Sequence, residues 1–147
     1  MKSIIEKTGF REVFMQILSI LAELAAVIGA VISVFVYYDT VKRERKITTL
    51  QAYAELRDKY PPNIETLDDD QKLAYLKDLE FFCTGINEGV YDIHILKKMC
   101  GKRLIRQYDN VMKAFVEHRR EISATGSKAW IEYEKTVLRL KKFYPQQ

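Results

Sequence analysis

"VFMQILSILAELAAVIGAVISVFVYYDTVKRERK", Val13 to Lys46, is the stretch that decides the fold: an apolar run closed by a basic cluster, with Glu23 near its middle. From Val13 to Tyr38 it holds 26 residues. As a helix rising about 1.5 Å per residue it would reach roughly 39 Å, enough to cross about 30 Å of hydrocarbon with some tilt. Starting the span after Glu23 would leave only 15 residues, Leu24 to Tyr38. That is too short to cross comfortably, so the carboxylate is expected inside the membrane. Tyr37 and Tyr38 at one end, and Phe10 and Phe14 at the other, suit interfacial aromatic anchors.

Three other readings compete with a span. A signal peptide carries an apolar core of about 7 to 15 residues, shorter than this one. The central helix of a soluble bundle would be apolar on nearly every face and need wrapping by all the others. An interfacial helix needs a strong polar face, which this run lacks. Lys42, Arg43, Arg45 and Lys46 form a tight juxtamembrane cluster, whereas Lys2, Lys7 and Arg11 are partly offset by Glu6 and Glu12. The positive-inside rule then places the C-terminal part in the cytoplasm.

On a helix, Gln16, Ser19, Glu23, Ala26, Ala30 and Ser33 recur at spacings of three and four, forming one polar and small-residue seam. Ala22, Ala26 and Ala30, and likewise Ala25, Gly29 and Ser33, follow the small-xxx-small pattern that lets helices approach closely. A carboxylate in the bilayer costs about 2.5 to 3.5 kcal/mol on insertion scales and generally faces a partner or water. Homo-oligomerisation through the seam answers both features; a tilted anchor from which Glu23 snorkels answers the second alone.

The rest of the 147-residue chain reads as all-α, giving residues 1–38 as the N-terminal segment with its transmembrane helix and 39–147 as a compact cytoplasmic helical bundle. Six Gly and three Pro suit such a bundle, and no segment alternates with period two. The first helix is expected to continue through Ile47, Leu50, Tyr53 or Ala54, and Arg57 until Pro61 and Pro62 end it. Asp68 to Asp70 cap a second helix bearing Leu73, Leu76, Leu79, Phe82 and Ile86, which stops near Gly89. Asp92 caps a short third helix with Gly101 as its stop, and a fourth runs from about Lys102 to Ile122. After the turn Ser123 to Ser127, a last helix capped by Ser127 carries Trp130, Tyr133, Val137, Leu140 and Phe143.

Chemistry is sparse. The chain has no P-loop, GxGxxG, HExxH, GxSxG or CxxC pattern, so no catalytic residue, cofactor or enzyme class is indicated. Cys83, His94, Cys100 and His118 match no familiar metal spacing, and the cysteines read as buried side chains. The net charge is +4, with much of the excess in the juxtamembrane cluster. A second basic neighbourhood, Lys97, Lys98, Lys102, Arg103 and Arg106, could meet phosphate or simply be a solvated face, so nucleic acid stays open as a partner.

The block "LKDLEFFCTGINEGVYDIHILKKMCGKRLIRQYDNVMKAFVEHRRE", Leu76 to Glu121, resembles a family of small, uncharacterised, membrane-anchored helical proteins of bacteria. The likeness rests on Glu80, Gly85, Gly89, Tyr91, Asp92, Arg106 and Asp109, and it implies topology but no reaction. Within it, Glu80 and Arg106 form a candidate ligand-binding or structural pair. The overall plan is also similar to the pore-forming accessory membrane proteins of RNA-targeting CRISPR systems, whose bundles are HEPN-like. Those carry an arginine four to six residues before a histidine, which neither His94 nor His118 has. That resemblance therefore implies assembly, a pore and antiviral defence without a nuclease. The alternative is a membrane-tethered adaptor or sensor that binds a nucleotide, RNA or protein ligand.

Overall fold

In a computed structural model the chain is helical, with no strand among the described residues, which are 2–122 and 129–144, with side chains from 13 onward. The expected Ser127 cap, the turn before it, and the side chains of Phe10 and the first basic residues lie outside them. Two compact units divide the chain, Met1–Lys42 and Arg43–Gln147.

The first unit holds the N-terminal part of α1, the helix Lys2–Lys59. It has the length and composition to cross a membrane.

The second unit is built on the C-terminal turns of α1, then a 3-10 turn at Ile64–Thr66, α2 (Asp69–Asn87), α3 (Ile93–Gln107), a π turn (Tyr108–Met112), α4 (Lys113–Ile122) and α5 (Ile131–Lys142). The starts follow from the sequence. Asp68 makes a full capping box with Gln71, and Asp92 accepts the His94 N–H at 2.8 Å. Gly89, with φ of 75°, supplies the left-handed residue that ends α2. Leu76, Leu79, Cys83 and Ile86 of α2 are buried, as are Tyr133, Val137 and Leu140 of α5. They form the centre of a core to which α3 adds Leu96 and Leu104.

The first helix does run on to Lys59, and its core-facing residues there are Thr49, Tyr53 and Leu56, whereas Ile47 and Leu50 are exposed. Buried Thr49 holds the chain entering α3, because its hydroxyl accepts the Asp92 N–H at 2.8 Å. Gly101 does not stop a helix. It lies buried inside α3, where a Cβ would come 2.7 Å from the Tyr144 hydroxyl oxygen, so the glycine admits a ring.

The helix expected from Lys102 to Ile122 is likewise corrected: it is interrupted by the π turn, closed by the Lys113 N–H to the Tyr108 carbonyl. The buried positions Leu96, Cys100, Leu104, Met112 and Val116 are four residues apart, or eight across half-buried Tyr108. In an α-helix that spacing drifts by about 40° per step, since each residue turns the helix by about 100°. A five-residue turn takes up an extra residue, offsets the drift and keeps Met112 and Val116 on the core.

Candidate functional site

Every side chain from residue 13 to 40 is exposed within the chain, including Gln16, Ser19, Glu23, Ala26, Ala30 and Ser33. On a continuous helix these six occupy one seam about 26 Å long. The Ser33 hydroxyl donates to the Gly29 carbonyl at 2.8 Å, so Ser33 serves the seam as a small surface with its proton already placed. Glu23 and Gln16 remain the seam's strong polar groups. Around them, large side chains from Val13 to Tyr38 stand 45 to 72% exposed. Leaving them in water would forfeit on the order of tens of kcal/mol, more than the 5 to 15 kcal/mol by which folded domains are stable. Lys42, Arg43 and Arg45 of the basic cluster are exposed, and Lys46 is half-buried.

The anticipated Glu80 and Arg106 pair does not form. Glu80, on α2, instead accepts the backbone N–H groups of Glu132 at 3.0 Å and Tyr133 at 2.8 Å, in the first turn of α5. The residue that should cap α5 is Trp130, held at φ 60° with no side-chain oxygen to offer. A carboxylate from the neighbouring helix takes over, and its charge also suits the positive end of the α5 dipole. Nearby, Asn87 donates to the Glu132 carbonyl at 2.9 Å and accepts from Arg139 at 2.8 Å. Arg120 bonds Glu134 at 2.9 Å and the Ala129 carbonyl, while Tyr108 donates to Glu134 at 2.8 Å. These polar groups clamp the ends of α5, and their role is structural.

Arg106 lies elsewhere, in the wall of a cleft of about 420 Å³ beside the turn that holds Asn63 and Glu65. Arg103, Gln107 and Asn110 share that wall. The other basic residues of α3 go different ways. Lys97 sits over the Phe143 ring at 4.8 Å and Lys102 over the Tyr144 ring at 5.6 Å. In sequence the five read as one patch; the spacing 103, 106, 107, 110, which is i, i+3, i+4 and i+7, is the signal that separates the cleft face from the rest.

Both cysteines are buried thiols, as the sequence implies. Burial pushes the Cys83 thiol well up and the Cys100 thiol to about 11, which keeps both protonated and unreactive at neutral pH. His94 and His118 are exposed. Among the described residues no three His, Cys, Asp or Glu side chains gather where they could hold a metal ion.

No curated protein and no solved structure matches the chain. Residues 20–140 do match a domain family, described as "Domain of unknown function (DUF4760)". The match begins inside the apolar run and continues to Leu140 in α5, so the family's domain takes in Glu23, Ala26, Ala30 and Ser33 of the seam together with the bundle. On that match, which covers most of its length, the chain belongs to the DUF4760 family.

Proposed function

We propose that this chain is a single-span protein of a bacterial inner membrane whose copies assemble through the seam Gln16, Ser19, Glu23, Ala26, Ala30 and Ser33. The assembled helices act as a non-enzymatic effector, a pore, in stress or anti-phage defence, with the C-terminal bundle in the cytoplasm. The observation that carries this reading is the run of exposed apolar side chains from Val13 to Tyr38 interrupted on one face by Glu23. Lipid satisfies the apolar majority, and a neighbouring helix or enclosed water satisfies the carboxylate and the small-residue face together, which a snorkelling anchor does not. Small residues at Ala26, Ala30 and Ser33 let the neighbour come close enough to do so. The basic cluster Lys42 to Lys46 supports the assigned orientation.

The test is dye and ion leakage from vesicles containing the full chain, compared with Glu23→Leu and with a chain whose span is replaced by an unrelated apolar helix. Leakage that is lost in both variants is the expected result. Vesicles that stay tight with the natural chain, or leakage that survives replacement of the span, would contradict the pore.

A further inference from the structure

We propose that the cleft between α3 and the Asn63–Glu65 turn binds a small phosphate ester, held by the guanidinium groups of Arg103 and Arg106 with Gln107 and Asn110 beside them. The inference concerns the second unit alone and stands whether or not the N-terminal helices assemble.

Charge is the first ground. The α3 segment IHILKKMCGKRLIRQ carries five basic residues and no acidic one, so no carboxylate on the helix itself neutralises its arginines. An acid three or four residues away on the helix would be the local partner for either arginine, and α3 offers none. Asp109, the nearest acid in sequence, is bound to Lys141 at 2.7 Å. Among the described residues neither Arg103 nor Arg106 forms an ion pair.

Arg103 supplies the second ground. Its Nη2 donates to the Tyr53 hydroxyl, and its guanidinium carbon lies 5.9 Å from the centre of the Tyr53 ring. Tyr53 stays a neutral phenol, since burial pushes its pKa to about 12, so the pairing orients the guanidinium and leaves its charge uncompensated. The Arg103 Nε is buried and has no hydrogen-bond partner. A buried donor without an acceptor is uncommon in folded proteins and costs stability, so the guanidinium is left short of acceptors within the fold. Arginine's planar fork fits phosphate oxygens two at a time, and a fork already oriented loses less freedom on binding.

Shape and composition are the third ground. A volume of about 420 Å³ lies within the range of roughly 300 to 1,000 Å³ typical of small-molecule sites. The wall includes two residues of a π turn, Asn110 and Val111, a distortion often found at functional positions. Across from the arginines, Glu65 is the one acid in the lining. Its carboxylate disfavours a bare polyanion and favours a ligand that presents phosphate to Arg103 and Arg106 and a hydrogen-bond donor, such as a sugar hydroxyl, to Glu65. Phosphate on such a body could be a soluble ester or a lipid head group.

The experiment is isothermal titration of the full chain in detergent with three probes: inorganic phosphate, adenosine 5′-monophosphate, and dihexanoyl phosphatidylglycerol below its critical micelle concentration. Binding of the nucleotide more tightly than inorganic phosphate identifies a soluble ester, and binding of the short-chain lipid identifies a head group; either supports the cleft. Arg106 is exposed and holds nothing in the fold, so Arg106→Gln is expected to fold normally and to weaken the bound probe by about tenfold or more. Lys98→Gln removes an exposed charge from the same helix outside the cleft and should leave affinity within about twofold. No heat with any probe up to about 5 mM, a concentration that would reveal even millimolar sites, overturns the proposal. Equal weakening by Arg106→Gln and Lys98→Gln overturns it too, since that would be attraction to net charge alone.

Discussion

Replacing Glu80 with alanine should loosen the start of α5 more than any other single change on the bundle's polar surface. The carboxylate closes two N–H groups, of Glu132 and Tyr133, that have no intrahelical acceptor, and Trp130 offers no substitute. Hydrogen bonds to charged groups contribute about 1.5 to 3 kcal/mol each, and loss of a helix cap costs about 0.5 to 2 kcal/mol. Glu80 is half-buried, so water replaces part of what is lost, and about 2 kcal/mol in total is the expected cost. For a domain near one hundred residues, each kcal/mol moves Tm by about 4 to 8 °C, which gives a fall of roughly 8 to 16 °C. The chain's one tryptophan, Trp130, adjoins the capped turn. Its fluorescence during a thermal melt of the full chain in detergent reads the unfolding at the right place. Glu80→Gln keeps one acceptor oxygen and should lose about half as much. A shift below about 2 °C for Glu80→Ala would refute the capping role.

Other consequences follow from the same packing. Gly85→Ala sets a methyl group into the Tyr91 ring, which is stacked on Phe82 at 5.2 Å, and should cost about 1 to 2 kcal/mol despite alanine's better helix propensity, seen as a lower urea midpoint. Both thiols should resist Ellman's reagent in the folded protein and react promptly in denaturant; prompt reaction of either in the native state would contradict their burial. Asp78 is held below the usual carboxylate range, first by its hydrogen bond from Lys59 and then by that from Tyr60. A lowered folded pKa gives stability that is present above the unfolded value, about 4, and fades as pH falls through the folded one. Asp78→Asn should therefore flatten the acid side of the stability profile below about pH 4, by less than about 1 kcal/mol because the pair is exposed, and leave the profile above pH 7 parallel to that of the natural chain.

Much of the architecture is legible because helix periodicity and capping are local. Asp68, Asp92 and Gly89 announce their roles by type and place, and Leu76, Leu79, Phe82 and Ile86 mark the α2 core face. The departures are tertiary. Thr49 is buried although nothing local marks it, since its partner is the Asp92 N–H far along the chain, while Ile47 and Leu50 beside it stay exposed. Gly101 looks like a stop, yet what requires it is the ring of Tyr144, 43 positions later. Glu80 suggests a cation by its charge, whereas its partners are main-chain groups of residues 132 and 133, which carry no side-chain signature. The cleft escaped because a row of basic residues on α3 gives no hint that Lys97 and Lys102 lie over rings while Arg103 turns toward Tyr53. The seam around Glu23, in contrast, is read from spacing alone, since the chain buries none of it.

The most direct measurement of the central claim is the mass of the full chain released from purified membranes and examined by native mass spectrometry in mild detergent. The assembly account predicts recovery in the membrane fraction as a defined multiple of the 17.3 kDa chain, dissociating when Glu23 is replaced by leucine. A well-folded 17.3 kDa single chain in the soluble fraction, or an assembly indifferent to Glu23→Leu, would contradict it.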